Sequence, residues 1–542
     1  MEIAEPNPIS YFRYTFASGT HSVSDSLTHF HLSLVLMIKF SDLPYDILSA
    51  IYAYITPQDL LALNQTCRAL YALGISDYVW HRLEIDLPLE FDQKTNTGEY
   101  RPFYEIRRNL LNSLRVEANW GNKSTQIRKL MRIDHGGLLS RVQLLRNDWL
   151  ITLSRNQTTN VSYLSAWHLD GGGCAHCAAK VEVMGDPNKF AAAVQDNSDS
   201  ALVTLFNNSR IARRIQVFSL SLTDNYLHED ALISPLQRVL EISLADKLNS
   251  DHDPPEYQGM FIEAQVNNNI VATSLARVNR SGPPLTYQII LVNMDTYTAL
   301  VLKQDLAEDV ASSRFTFKLF PEHIAILFAK MGEGSLIWKD VKDLTKSGSS
   351  LHRASLQGVG PTTLFMNQFP VLNIGSLQSQ YTSEYFSMSH DVSFTAESLR
   401  PTQSGFGIVS CRLEKLWFFY FTLEPTVTAP SGSISVNLSS ISLKSVTSFS
   451  LKSDSHVENL ALGRTGCRIV WLERSWETDE YRLLKATLPG PRLRNKVLAC
   501  NLIPPHIALP FELHKCSAIW FEEATGRICF GLHTGEVYIL EL

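Results

Sequence analysis

"FSDLPYDILSAIYAYITPQDLLALNQTCRALYALGISDYVWHRL", residues 40–83, holds more apolar side chains than three short helices can hide from one another. Ser41 or Asp42 is placed to cap a helix whose first turn accommodates Pro44, since an N–H at that position has no intrahelical acceptor. Ile47, Leu48, Ile51, Tyr52 and Ile55 follow Pro44 at i+3, i+4, i+7, i+8 and i+11, the stripe of an amphipathic helix. Thr56-Pro57-Gln58-Asp59 then restarts a helix with a hydroxyl cap, a proline at the first position and an acid near the positive end of the dipole. Leu60, Leu63, Cys67 and Leu70, at i, i+3, i+7 and i+10, predict one face running to a stop at Gly74, after which residues 76–83 begin another capped turn. Cys67, Leu70 and Trp80 read as packing residues.

A unit of about forty residues has too much surface for its volume and normally needs a metal, disulfides or a partner. No metal-ligand set is visible here, so the economical answer is a partner. About six outward apolar side chains at roughly 1.5 to 3 kcal/mol each match the roughly 4 to 15 kcal/mol that association costs.

The order and spacing of Leu43, Pro44, Asp46, Ile47, Leu48 and Ile51, then Leu60, Leu63, Cys67 and Arg68, then Trp80, resemble the F-box. The resemblance covers about 45 residues. The chain departs from the pattern at Ala69-Leu70, where many members carry a Lys/Arg-Trp pair, and at Asn64, where a small or apolar residue is common. The resemblance implies docking on the Skp-type adaptor of a cullin ubiquitin ligase. Leu43, Pro44, Ile47, Leu48, Ile51, Leu60, Leu63, Cys67, Arg68 and Trp80 would then form or support the adaptor-facing surface.

Length and composition frame the remainder. A chain of 542 residues exceeds one ordinary core, and 45% apolar with 19% charged residues is globular. A net charge of -6 gives no reason to expect binding to nucleic acid or membrane. The apolar run at 30–37 is too short to span a bilayer. Eight irregularly spaced cysteines, most of them in apolar strands, read as reduced core thiols, and the expected location is cytoplasmic and/or nuclear. Residues 1–38 read as a disordered tail, in which Met37 is a candidate start of translation; 39–85 read as the F-box domain; and 86–130 as a linker containing the helical piece "FYEIRRNLLNSL".

From 131 to 542 the chain changes to short β-rich runs ended by Gly, Asn, Asp, Ser and Pro. Seven runs carry a large side chain near their end: Trp167, Phe218, Val292, Trp338, Trp417, Trp471 and Tyr538, at intervals of 51, 74, 46, 79, 54 and 67 residues. Those intervals equal or exceed one propeller blade. The last run, with turns at Ala524-Thr525-Gly526 and His533-Thr534-Gly535, resembles a WD-repeat blade, although the usual Gly-His and Trp-Asp dipeptides are mostly missing. The fold class expected is multidomain α plus all-β, a small helical F-box before a divergent β-propeller of six to eight blades. A pair of β-sandwiches is the alternative. The strand at the C-terminus is expected to share a blade with an early one, leaving no open edge.

Candidate chemistry is sparse. Cys174 and Cys177 have a spacing suited to two zinc thiolates, but no second pair follows at a suitable distance, so neither metal nor other cofactor is expected. No hydrolase, zinc-protease, kinase or dinucleotide signature occurs, and no enzymatic role is expected. Arg210, Arg213 and Arg214 form a basic cluster that reads first as a solvated turn and, as the alternative, as a grip for a phosphate or carboxylate on a target. The sequence therefore reads as a substrate receptor that joins a protein target to an adaptor and, through it, a cullin. The alternative is an F-box scaffold that promotes no ubiquitination.

Overall fold

The computed structural model describes residues 43–83 other than 53, residue 87, and residues 102–542 apart from internal stretches, the longest of which are 223–234, 244–256, 351–361, 395–404 and 489–498. The expected tail with Met37, the first part of the expected linker, Arg210, Arg213 and the glycines at 171–173 lie outside these residues.

Five helices come first: α1 (Tyr45–Tyr52), α2 (Pro57–Leu63), α3 (Arg68–Gly74), α4 (Asp77–Arg82) and α5 (Phe103–Gly121). Seven sheets follow and form a seven-bladed propeller. Blades one to six occupy residues 138–183, 190–243, 257–305, 314–383, 392–450 and 455–501. Blade seven takes Cys516–Glu522, Arg527–Leu532 and Glu536–Glu541 and is completed by the first strand, Lys129–Asp134. The first strand thus starts two residues before the expected boundary of 131.

Seven apolar clusters, one between each pair of neighbouring blades, make the core a ring. Two separate sandwiches would leave this cycle open, so the alternative fold is excluded. Each of the seven large side chains marks a different blade: Trp471 lies on a second strand and the other six on third strands. Strand pairs recur with their greasy faces turned to both neighbours, which is why apolar runs were more visible than alternation.

The uneven spacing has a structural cause. Between the third and fourth strands of blade four the chain travels back around the outside of the ring. Ser349–Ser350 and Val371–Asn373 pair with Thr298–Asp305 of blade three, and Thr362–Phe365 adds in parallel to Leu236–Ser243 of blade two. Two outer edges that would otherwise offer unpaired backbone groups are covered in this way.

The thiol expectation holds only in part. Cys516 and Cys529 are buried, and burial pushes the Cys516 thiol up to about 12 and the Cys529 thiol higher still. Cys67, Cys174 and Cys177 are exposed, the first because it caps a helix and the others because they sit on the outermost strand of blade one or just before it.

Closure is a six-residue antiparallel ladder from Lys129 opposite Glu541 to Asp134 opposite Glu536. It joins segments some four hundred residues apart, yet loop-closure entropy grows only about 0.6 kcal/mol per doubling of length. Burial of Met131 and Ile133 in the same ladder, at roughly 1.5 to 3 kcal/mol each, offsets much of that cost. Leu540, wholly buried on the partner strand, is a sensitive point. Leu540→Ala is expected to cost about 2 to 5 kcal/mol, read as a lower denaturant midpoint.

Where the first strand meets blade one, His135 is buried against Thr152 and Trp167. The Trp167 indole N–H lies 3.1 Å from both His135 Nε2 and Thr152 Oγ1, so Nε2 serves as an acceptor and the ring is neutral. Burial, reinforced by nearby Lys180, lowers the imidazole to about 4 from its ordinary 6.5. The unfolded chain therefore takes up a proton that the folded chain refuses as pH falls from about 6.5 to about 4. Stability should fall across that window by up to roughly 3 kcal/mol and level off below it. His135→Gln should remove this part of the dependence, measured as the difference between the two proteins in chemical denaturation from pH 7 to pH 4.

Candidate functional site

The helical module is built around Leu48, Tyr52, Leu60, Leu70, Leu73, Val79, Trp80 and Leu83, joined by Ile106 and Leu110 of α5. Its second helix starts as its sequence dictates. Thr56 caps it by accepting the Asp59 N–H at 3.2 Å, and Pro57 opens it. The continuous face from Leu60 to Leu70 does not form. After Leu63 the backbone tightens, with Gln65 N–H on Ala62 C=O and Thr66 N–H on Leu63 C=O, while the Thr66 hydroxyl donates to the Leu63 carbonyl at 2.7 Å. Asn and Thr side chains compete in this way with the helical ladder.

Cys67 is consequently an extended N-cap to α3 and is exposed, not packed, whereas Leu70 and Trp80 are packed as expected. The Gly74 carbonyl gathers the ends of these helices, accepting from the Trp80 indole at 2.6 Å and from Asn64 Nδ2 at 3.3 Å. A Cβ on Gly74 would lie 1.6 Å from Asn64 Oδ1, so a larger residue here would displace the Asn64 amide from this carbonyl.

The ten residues singled out by motif divide by depth. Leu48, Leu60 and Trp80 are in the core. Leu43, Ile51 and Leu63 are half-buried at its margin, and Pro44, Ile47, Cys67 and Arg68 are exposed. Pro44, Ile47, Ile51 and Tyr54 lie at i, i+3, i+7 and i+10 along α1 and its continuation, beside the buried stripe of Leu48 and Tyr52. Ile47 is 46% exposed and Tyr54 91% exposed. Here are the spare apolar side chains: a second stripe beside the buried one, exposed at Pro44, Ile47 and Tyr54 and half-buried at Ile51.

Helix α5 fixes where this stripe points. Ile106, Leu110, Ser113, Val116 and Trp120, with Asn109 beside them, form its buried face. The first two enter the helical core and Trp120 enters the cluster between blades six and seven. At its start, Asp77 accepts the Phe103 N–H at 2.6 Å. At its end, Trp120 stacks on Phe521 with centroids 5.2 Å apart and donates to Thr487 Oγ1 at 3.1 Å. Lys485 reaches the carbonyls of Trp120 (2.6 Å) and Asn122 (3.0 Å), a cation at the negative end of the helix dipole. Burial lowers the Lys485 ammonium. Buried Arg468 pairs with Glu117 and donates to the Glu523 carbonyl.

The expected linker is thus, from residue 103, a strut of about 28 Å at 1.5 Å per residue. Sequence reading noted a helical piece but missed this role. The signal was the stripe Ile106, Leu110, Ser113, Val116, Trp120, apolar but for one serine and continuing past the segment recognised as helical.

On the propeller, Arg214 is bound to buried Glu241 at 2.6 Å, which Arg238 also contacts at 3.1 Å. Its guanidinium is engaged within blade two. At the edge of blade one, Asp170 receives His168 at 3.2 Å and His176 at 2.8 Å, and Cys177 lies opposite Trp167. Among the described residues no three His, Cys, Asp or Glu side chains converge as a metal site, and no described helix is long and apolar enough to cross a membrane.

The F-box-like family matches residues 40–86. A comparison with curated proteins returned no match. Among solved structures the chain is similar to one titled "Crystal Structure of Mitotic Checkpoint Complex", at 8% identity over 78% of this chain and 92% of that one, with a TM-score of 0.38.

The division by depth predicts opposite costs within one motif. Trp80→Ala should destabilise the protein by about 3 to 5 kcal/mol, whereas Ile47→Ala should stay within about 0.5 kcal/mol, both read by urea denaturation.

Proposed function

We propose, for a chain that carries an F-box-like domain at residues 40–86 ahead of a seven-bladed β-propeller, that it is the substrate-recognition subunit of a Skp-cullin-F-box ubiquitin ligase. The observation that carries this reading is the apolar stripe of exposed Pro44, Ile47 and Tyr54 with half-buried Ile51 within the matched segment. Burying an exposed aliphatic or aromatic side chain contributes roughly 1.5 to 3 kcal/mol, and a stripe of this kind holds a partner when a few such anchors fill pockets.

Both folds typically serve as adaptors or receptors without chemistry of their own. In this reading the propeller holds a target protein while a conjugating enzyme elsewhere in the complex performs the transfer. The chain's contribution is effective concentration: target lysines are kept near a charged conjugating enzyme. A rigid strut supports that role, since a target held at a fixed distance loses little further freedom. The reading places the protein in the cytoplasm and/or nucleus, where such ligases meet their targets.

The test is affinity purification of the full chain beside Ile47→Asp. The variant should lose the Skp-type adaptor and the cullin together, retain proteins bound through the propeller, and unfold at the wild-type temperature. Retention of the adaptor by Ile47→Asp overturns the reading. Adaptor without cullin on the wild-type protein would instead identify a scaffold that drives no ubiquitination.

A further inference from the structure

Two strands of blade six, Arg468–Ser475 and Tyr481–Thr487, run from helix α5 at one end to a tight turn at the other. Arg468, Lys485 and Thr487 touch the helix. Ser475 and Tyr481 stand about 20 Å away, at roughly 3.3 Å per residue. The turn between them therefore faces away from the helical module.

That turn exposes Trp476, whose side chain is 64% accessible, an unusual cost for an indole with no core to fill. It is nonetheless held in place. One ring face stacks on His456 with centroids 3.9 Å apart and planes 17° from parallel. The Trp476 N–H donates to the Asp454 carbonyl at 2.7 Å, and the Asp479 N–H donates to the Ser475 carbonyl at 3.0 Å. Both Asp454 and Asp479 adopt left-handed backbone, with φ of 63° and 54°, which fixes the two turns that present the ring.

The surrounding charge is lopsided. Arg474 lies 5.8 Å from the Trp476 ring and 5.5 Å from that of Tyr481, but Glu458 at 3.1 Å and Asp479 at 2.7 Å already hold its guanidinium. Tyr481 donates to the same Glu458 at 3.3 Å. Asp454, Glu477 and Glu480 complete an exposed acidic rim; among the described residues the cations beside it are Lys452, 4.0 Å from Glu480, and the already paired Arg474. An indole offers its face to cations, and acids around it repel phosphate and carboxylate.

We propose that Trp476, backed by His456 and rimmed by Asp454, Glu477 and Glu480, is a docking shelf for a lysine or arginine side chain in a basic segment of a target protein. It deepens the receptor reading, on which it rests, by naming the chemistry the propeller selects. The distant end of blade six receives the cation, and the near end is fastened to the strut. The occupant is a cationic peptide and not a nucleic acid or an anionic lipid surface, because the rim carries their sign of charge.

The experiment is a fluorescence anisotropy titration of the full chain with two fluorescein-labelled synthetic peptides. One alternates lysine and arginine with glycine and serine; the other has glutamate in place of every cation. The basic peptide should bind and the acidic one should not. Trp476→Ala should weaken binding about 3-fold to 30-fold, the range a cation over an indole contributes. This substitution leaves net charge unchanged, so attraction to the overall acidity of the chain would not respond to it. Glu477→Lys/Glu480→Lys, which keeps the indole, should weaken binding at least as much. Absence of basic-peptide binding, or binding within 2-fold of wild type by both variants, overturns the proposal. Ile47→Asp should bind the peptide as wild type does, and no adaptor is present, so failure of the shelf and failure of the adaptor reading give separate results.

Discussion

Everything in this molecule depends on one helix having each end buried in a different core. Ile106 and Leu110 belong to the helical module, Val116 and Trp120 to the propeller, and the backbone between them is a single α-helix. A flexible tether would let the apolar stripe on α1 take any orientation relative to the blades. The packed strut removes that freedom. Val116 even demands a particular neighbour, since a Cβ on Gly526 (φ 68°) would lie 3.0 Å from both of its methyls.

The strut can be anchored because the ring beneath it is closed. Trp120 sits on blades six and seven, and blade seven is complete only when Lys129–Asp134 returns to pair with Glu536–Glu541. The strand that closes the ring follows a few residues after the helix that carries the module, so closure and docking are enforced by the same stretch of chain. Cations are used sparingly at this junction. Arg468 and Lys485 are buried, and each is met by a carboxylate or by helix-terminal carbonyls, the condition under which a buried charge is tolerated.

Much of the architecture was legible in the primary structure. Thr56-Pro57 fixed a helix start because its chemistry is local, and Trp167, Phe218, Val292, Trp417, Trp471 and Tyr538 each marked a blade because each packs into a gap between sheets, while Trp338 marked one by its place on a strand. Legibility failed where two local preferences competed. The i, i+3, i+7 spacing through Cys67 spoke for helix, yet Asn64 and Thr66 turned the backbone and left that thiol at the surface. It failed again for Arg214, whose role depends on Glu241 from the neighbouring strand.

By itself, then, the order of residues determined the kinds of element and the presence of surplus apolar surface near the amino end, since periodicity and capping act between residues a few positions apart. Tertiary structure alone decided which apolar side chains are surplus. Leu48 and Ile47 are adjacent and equally greasy, but only packing against α3, α4 and α5 puts the first inside and leaves the second in water. The same holds for the acid-rimmed indole at the far end of blade six: Trp476 and Trp471 look alike in one dimension, and their fates diverge because neighbouring sheets cover one and a turn lifts the other clear.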